Sequence, residues 1–573
     1  MLPENLKIKH MTSRRSLWPR WQRWHLAAAA MGALAGIGSA GVYASTISGI
    51  GLAGLPSGLN GSGVNVAQVE ANFSASPTDQ FEAKLSSTSI ANPGLSITYI
   101  DFNGTQSTTV GNTYTSNSIH YYDTESDHAD SVGGYFYGSN GVAPNVAHID
   151  NYDASYFQSS IIGHASYNNN TKTWNQPTTL NNDKVVNQSF INNFPSNSSS
   201  SYVNNAQAAI DAQYDNYTNT YNTIFVSAVG NGNLDVEAGT GSRINPPATA
   251  YNSIAVGAYP YSSSTTGLGP TSDGRDAPVI VAPASATSYS TPMVSGAAAI
   301  MVQAGQNADG YLAGDGFANQ TAYVNAATDN RTVKALLING AVKPTGWTNS
   351  YTISGSTYTY NAPTAITTTP LDPRYGSGVL NVDNSYNNLA AGRVQASAVN
   401  NSPTVITSPT ITQTQGWDFS TITAGGSADI AHYVFNLSNA STAYDLTTTL
   451  TWNAQTLVQL NNFTEALNHI NLKFYNSTGS LLASSSSAVD NLQQLYLLNL
   501  APGTYDLQLV DNGGATWANA LSGAPPPSAT DPYAMAFDFQ AVPEPAVVLL
   551  MLPGLAVLLL RRRKTLSSSK SRR

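Results

Sequence analysis

The chain has no cysteine in its 573 residues, which excludes a disulfide framework, a thiolate zinc site and a cysteine nucleophile. It is poor in charge, with Asp, Glu, Lys and Arg at 10% of residues. Basic residues are scarcest of all in the body of the chain. Of 24 Lys and Arg, six lie before residue 45 and seven after residue 560, so the body over 45–540, which leaves out Glu4 and Glu544, holds 11 of them against 31 Asp and Glu and carries about −20. That sign repels nucleic acid and anionic lipid, which excludes both as partners, and it keeps a Lys-poor chain soluble. No apolar run reaches the roughly 20 residues that cross a bilayer comfortably. Zinc and calcium signatures are missing too. There is no His-Glu-x-x-His, and DTESDHAD (123–130) begins like a calcium loop but has His128 where Gly is required and Gly134 where Glu is required.

What is present starts with a signal at each end. Lys7, Lys9, Arg14, Arg15, Arg20 and Arg23 precede the apolar run LAAAAMGALAGIG, and Val42-Tyr43-Ala44 supplies the small residues of a cleavage site. This predicts an export signal over 1–44, against the alternative of a retained membrane helix, with Sec and twin-arginine routes both open. At the far end VPEP leads into AVVLLMLPGLAVLLL (546–560), followed by RRRK. The Pro543-Glu544-Pro545 motif, the apolar stretch and the Arg cluster resemble a PEP-CTERM sorting tail over 541–573. The resemblance implies transient inner-membrane association, cleavage of the tail by an exosortase, and a destination in the envelope or exterior of a Gram-negative bacterium. A plain C-terminal anchor is the alternative.

Between the ends, short β-branched runs alternate with longer segments. VNVAQV (64–69), NVAHI (145–149), KVVNQSF (184–190), TIFVSAV (223–229), SIAVGAY (253–259) and PVIVAP (278–283) have strand length, and 202–215 and 292–304 are long enough for crossover helices. The pattern predicts an α/β domain over 45–395, a mostly parallel sheet covered by helices on both faces. The Asn-, Ser-, Thr- and Tyr-rich stretch 151–222 reads as long polar loops. From about 396 to 540 the texture becomes turn-separated alternation, as in YVFNL, LTTTLTW, INLKFY and GTYDLQLV, which predicts a smaller antiparallel β-sandwich.

One stretch concentrates hydroxyls at the mouth of an apolar helix: ATSYSTPMVSGAAAIM (286–301). Val294, Ala297, Ala298 and Met301 fall at helical spacing, so a buried helix is expected after Pro292. A serine at a helix start has its side chain clear of the helix body and unpaired N–H groups beside it, which suits a nucleophile that must develop an oxyanion. Thr287 or Ser288 acting only as a helix cap is the plainer alternative.

Other motifs, in order, join this one. ATSYSTPMVSG is similar to the subtilisin-family signature G-T-S-M-A-S-P-x-V-A-G around the nucleophile, with Ser288 at the serine position. DHADSVGG (127–134) resembles H-G-T-H-V-A-G and puts His128 at the general-base position, and GVAP (141–144) follows as in the family. SAVGNGN (227–233) resembles the A-A-G-N segment, so Asn231 takes the place of the oxyanion donor. INPPATAYNSIAVGA and YGSGVLNV resemble the next strand with its lead-in and the closing element. The resemblance implies a subtilisin-like fold and a secreted serine endopeptidase acting on protein or peptide substrates through an acyl-enzyme, with no cofactor required. Relatives bind structural calcium, but no ligands carry over to named residues.

Several positions depart from the family pattern. Where an aspartate should end the first strand, VNVAQVEAN supplies Glu70, whose extra methylene changes its reach by about 1.5 Å. Asp130, two residues from His128, is an alternative partner for the imidazole. Ala286 replaces a Gly. The substrate-binding strand reads NQSFI, so Ser189, Phe190 and Ile191 are expected at the substrate site, with Ile191 in place of Gly. Only nineteen residues, 45–63, separate the leader from the first strand, too few for a family-type propeptide. These departures motivate a second reading, a catalytically inactive subtilisin-fold module that binds at the cell surface. An adhesin built from the Asn/Thr-rich strands is a third.

Overall fold

A computed structural model of the chain describes residues 47–542, apart from 73–77, 112, 117–118, 164–165, 169–172, 176–179, 181, 193–199, 233–243, 355–356, 428, 439–442, 460–461 and 519. The expected export signal 1–44 and the apolar segment 546–560 of the tail lie outside the described residues. Among the described residues no helix is long and apolar enough to cross a membrane.

Seven parallel strands form the centre: β1 (Asn65–Glu70), β2 (Ile97–Ile100), β3 (His148–Asp153), β4 (Val185–Gln188), β5 (Ile224–Ala228), β6 (Ile254–Tyr259) and β7 (Ile280–Pro283). They lie in the order β7-β6-β5-β4-β1-β3-β2, and the short strand Gln106–Ser107 pairs antiparallel at the β2 edge. Side chains alternate across the sheet. Val66, Val185 and Ile224 face one helical layer, which contains α1 (Asp127–Phe136) and α3 (Thr287–Gln306). Ala67, Val186 and Phe225 face the other, where α2 (Ser200–Tyr221) contributes Tyr214 and Tyr217. Burial on both faces is why these strands read as unbroken apolar runs. From β1 the chain builds β2 and β3 on one side and then crosses to β4 on the other. The carboxyl ends of β1 and β4 therefore flank the crevice where α/β sheets hold their ligands.

Three expectations need adjusting. The strand expected at 145–149 begins at His148, because Val142 and Ala143 hydrogen-bond back to Tyr135 and Phe136 and hold that segment against α1. The stretch 151–222 is not merely polar loop: a π-helical turn spans Phe157–Ile162, and α2 buries two tyrosine rings. Tyrosine supplies apolar area that a polar-looking composition hides. The helix expected after Pro292 starts earlier, at Thr287, with the proline inside it.

α4 (Asn330–Gly340) and α5 (Val382–Ala390) lead into the C-terminal sandwich. One of its sheets has four strands in the order β8-β11-β9-β10, with β8 Gln415–Thr423, β9 Ala443–Trp452, β10 Leu492–Leu500 and β11 Thr530–Val542. The other has six, among them Ile430–Leu437, Ile470–Asn476 and Gly503–Asp511. Tyr433, Phe435, Trp452, Leu507 and Phe537 fill the space between. The sandwich is seated on the α/β unit. Ala534 and Ala536 join Ala335 and Leu336 of α4 in one apolar cluster, and the buried Trp417 packs 5.3 Å from the Tyr323 ring. Ile366–Thr367, from before the expected boundary at 396, is one of those six strands, a parallel edge strand paired at Ser484 and Ser485. Contacts such as Asp276 N–H to Asp490 (2.7 Å) and Ala454 N–H to Asn252 (2.9 Å) lie just ahead of β7 and β6. The sandwich thus reaches the amino ends of the strands and leaves the carboxyl-end crevice to the α/β unit.

Candidate active site

Glu70 is the last residue of β1 and is fully buried. It lies on the same strand face as Val66, the face turned to α1. Its Oε2 is 2.8 Å from Nδ1 of His128, the second residue of α1. The added methylene therefore leaves the carboxylate within hydrogen-bond range of the ring. The other oxygen, Oε1, accepts from Gln68 Nε2 at 2.9 Å. α1 is capped by Ser126, whose hydroxyl accepts from Ala129 N–H. Asp130 points elsewhere: it accepts from the Lys84 backbone N–H at 2.6 Å, and burial lifts its carboxyl to about 7. It is not the imidazole's partner.

Ser288 stands in the first turn of α3, half-buried, and α3 packs against α1. The N-cap is Ala286, in extended backbone (φ −156°), and no side chain caps the helix. Ala286 needs no glycine-only conformation, and neither Thr287 nor Ser288 serves as the cap. Pro292 has no N–H to offer the carbonyl four residues earlier, that of Ser288. The Ser189 hydroxyl takes that place, donating to Ser288 O at 2.9 Å. In return the Ser288 hydroxyl donates to Ser189 O, a long contact at 3.4 Å. Tyr289, next in the chain, has its ring centroid 6.1 Å from that of His128 and 5.6 Å from that of Tyr135. The remaining hydroxyls of this helix are tied inward: Ser290 to Ala282 O, Thr291 to Thr287 O and Ser295 to Asn187. Gly296 lets the helix pass Val142, whose Cβ would stand 2.5 Å from an added methyl.

Asn231 follows β5 between Gly230 (φ 102°) and Gly232 (φ 70°). A side chain at 232 would meet the Ser263 carbonyl at 2.0 Å, so the turn that presents Asn231 requires glycine there. The Asn231 Oδ1 accepts from both the N–H (3.0 Å) and the hydroxyl (2.9 Å) of Thr287. Two donors on the oxygen assign the amide's orientation, so its nitrogen is the end that donates. Asn231 is thereby tied to the residue next to Ser288.

The segment expected to bind substrate divides. Ser189 is buried against Ser288 and also accepts from Asn187 Nδ2 at 3.0 Å. Phe190 is 6% exposed and packs into the α2-side core, so its ring does not line the crevice. Ile191 is half-buried. Among the described residues no group of three or more His, Asp or Glu side chains is arranged to hold a metal ion. The cavity between Arg275, Lys334, Asp276 and Asp490 contains none of these site residues. Sequence reasoning missed Gln68, Tyr137 and Tyr289, and read Thr287 only as a helix cap. Nothing in the sequence marks Gln68 beyond its place two residues before the acid, on a strand whose other members are Asn65, Val66, Ala67, Val69 and Glu70.

A parallel α/β sheet with an acid–imidazole pair at one strand end, a serine in the first turn of a neighbouring helix and an asparagine in the loop after another strand is the arrangement of subtilisin-type serine peptidases. The chain matches the subtilase family over residues 86–378, about half its length, and it belongs to that family. His128, Asn231 and Ser288 fall inside the matched span, and Glu70 precedes it. Among solved structures the chain is similar to a lanthipeptide protease, at 12% identity over 56% of this chain and 87% of that one, with a TM-score of 0.33. It is also similar to the Yersinia pseudotuberculosis-derived mitogen, at 11% identity over 23% of this chain and 91% of that one, with a TM-score of 0.14. No curated protein matches it.

Proposed function

We propose that the chain is an exported serine endopeptidase that cleaves protein or peptide substrates through an acyl-enzyme, with Ser288 as nucleophile, His128 as general base and Glu70 as its carboxylate partner. The observation that carries this reading is the 2.8 Å contact between Glu70 Oε2 and His128 Nδ1. A carboxylate on Nδ1 fixes the tautomer and leaves Nε2 as the basic nitrogen. For attack, the Ser288 hydroxyl must leave its long contact with Ser189 O and donate to that nitrogen when substrate binds; such contacts are often loose without substrate. Attack by Ser288 Oγ on the carbonyl carbon passes its proton to His128, which returns it to the leaving amine. The oxyanion is held by the Asn231 amide and the Ser288 backbone N–H. Water then releases the acyl group by the same path in reverse roles.

The test is labelling of the folded, purified protein with a fluorophosphonate probe beside Ser288→Ala. Labelling lost only in the variant supports the peptidase, and an unlabelled folded wild type assigns the chain to an inactive binding module. The same proposal places export through residues 1–44 and removal of the tail by an exosortase at the inner membrane. Co-expression with an exosortase should yield an intact mass lacking the residues beyond the VPEP motif, and a retained Arg cluster would exclude that processing.

A further inference from the structure

We infer that Gln68 is the positioning residue that lets a glutamate serve where an aspartate is expected, by clamping the strand that carries the acid to the helix that carries the histidine. The inference rests on the peptidase reading. It starts from a cost: Gln68 and Glu70 are both fully buried on a central strand, and a buried amide and carboxylate are unfavourable unless every polar atom finds a partner. Side chains two apart on a strand share a face, so the amide lies alongside the carboxylate.

The glutamine is satisfied on three sides. Its Nε2 donates to Glu70 Oε1 at 2.9 Å and to the carbonyl of Ala129 at 2.9 Å, and its Oε1 accepts from the Tyr137 hydroxyl at 2.5 Å. The orientation is unambiguous. A carbonyl and a carboxylate can only accept, so the amide nitrogen must face them. Burial pushes the Tyr137 phenol well above its ordinary range, so it keeps the proton it donates. Ala129 adjoins His128, and Tyr137 closes the same helix at its C-cap. One side chain of β1 thus grips α1 at both ends and holds the acid in between. A glutamate has one more rotatable bond than an aspartate. With Oε1 held by Gln68, the remaining oxygen is directed at His128 Nδ1, which offsets the added freedom.

The experiment is a double-substitution cycle on kcat and KM for a peptide substrate, with Gln68→Met and Glu70→Gln singly and together, and thermal unfolding of each variant to confirm folding. Gln68→Met keeps length but offers no donor. Misplacement of catalytic groups by about 1 Å costs up to about a hundredfold, so kcat should fall about ten- to a hundredfold with KM unchanged. In the Glu70→Gln background the same change should have little further effect. Equal effects in both backgrounds would overturn the inference, since a merely structural role does not depend on the carboxylate. Tyr137→Phe, which removes only the outer bond of the clamp, should give a smaller fall in the same direction if Gln68→Met does not fold. A second readout needs no turnover. In Ser288→Ala protein, the downfield proton resonance of a carboxylate-bound imidazole Nδ1–H should be present and should broaden or vanish with Gln68→Met; persistence unchanged would overturn the clamp. A wild type that shows the resonance but resists fluorophosphonate would instead sink the peptidase reading and leave the clamp standing.

Discussion

At the residue scale the question is how a longer acid fits a site that the family builds around a shorter one. β1 ends with Glu70 fully buried and its carboxylate shared between Gln68 and His128. The backbone is therefore placed for a glutamate, and restoring the family's aspartate should harm the enzyme. Glu70→Asp withdraws the carboxylate by about 1.5 Å and is expected to lower kcat about ten- to a hundredfold, while Glu70→Gln, which misdirects the tautomer, is expected to cost about ten-thousandfold. Steady-state kinetics on one peptide substrate decides this, and an Asp variant faster than wild type would refute the fit. Asn231→Ala removes the proposed side-chain oxyanion donor and should lower kcat about a hundred- to a thousandfold with little change in KM. His128, Asn231 and Ser288 were legible as candidates because each sits in a short motif, and Glu70 because it is an acid at the end of the first strand, where the motif has an aspartate. Gln68 was not, because its partners Ala129 and Tyr137 are more than sixty residues away and a lone glutamine in a strand carries no signature.

At the element scale the unusual helix start explains itself through a proline. The spacing of Val294, Ala297, Ala298 and Met301 suggested a helix after Pro292, but α3 begins five residues earlier, at Thr287. The cost of an interior proline is an unpaired carbonyl at Ser288, and the Ser189 hydroxyl offsets it from the neighbouring loop after β4. Ser189→Ala should therefore destabilise the fold by about 1 kcal/mol, the low end of the range for leaving an acceptor unsatisfied, because Ser288 is only half-buried. The loss should shrink in a Pro292→Ala background, where the helix supplies its own N–H. Chemical denaturation of the four proteins measures this coupling, and additive losses would show that the two positions are independent. Strands and crossover helices were legible from β-branched runs and their spacing. The strand at 97–100 was not, since Thr98 and Tyr99 interrupt its two isoleucines and no unbroken apolar run marks it, and the start of β3 was misjudged because Val146 forms an isolated bridge with Ser62, ahead of β1.

At the scale of the whole molecule the acidic balance takes on a different meaning. The composition suggested that acidity coats the surface, yet among the described residues nineteen aspartates and glutamates are buried. A count of charges cannot tell inside from outside; only the packing does. Several of these acids lack a partner for one oxygen, among them Glu82 Oε1, Asp101 Oδ2 and Asp123 Oδ1. Burial, reinforced by neighbouring carboxylates, raises Glu82 to about 7 and Asp123 to about 8; burial likewise lifts Asp153 to about 6 and Asp211 to about 7. An acid whose folded value exceeds its unfolded value of about 4 holds more protons when folded, so its stability contribution is full below about 4 and is lost as pH rises through the folded value. Lys184 and Lys334, both lowered to about 8 by burial, and Lys343, lowered to about 7, act in the opposite sense only above those values, and the raised carboxyls outnumber them. Between pH 5 and 7.5 the carboxyls therefore dominate, and the melting temperature should fall across that interval at constant ionic strength. Glu82→Gln makes the argument local. The amide oxygen can still accept from the Gly111 N–H, which lies 2.7 Å from the native carboxylate, but nothing remains to ionise. The variant should melt higher than wild type at pH 7.5 and show little or no advantage at pH 4.5. A gain of equal size at both pH values would mean that charge burial at this position is not what limits stability.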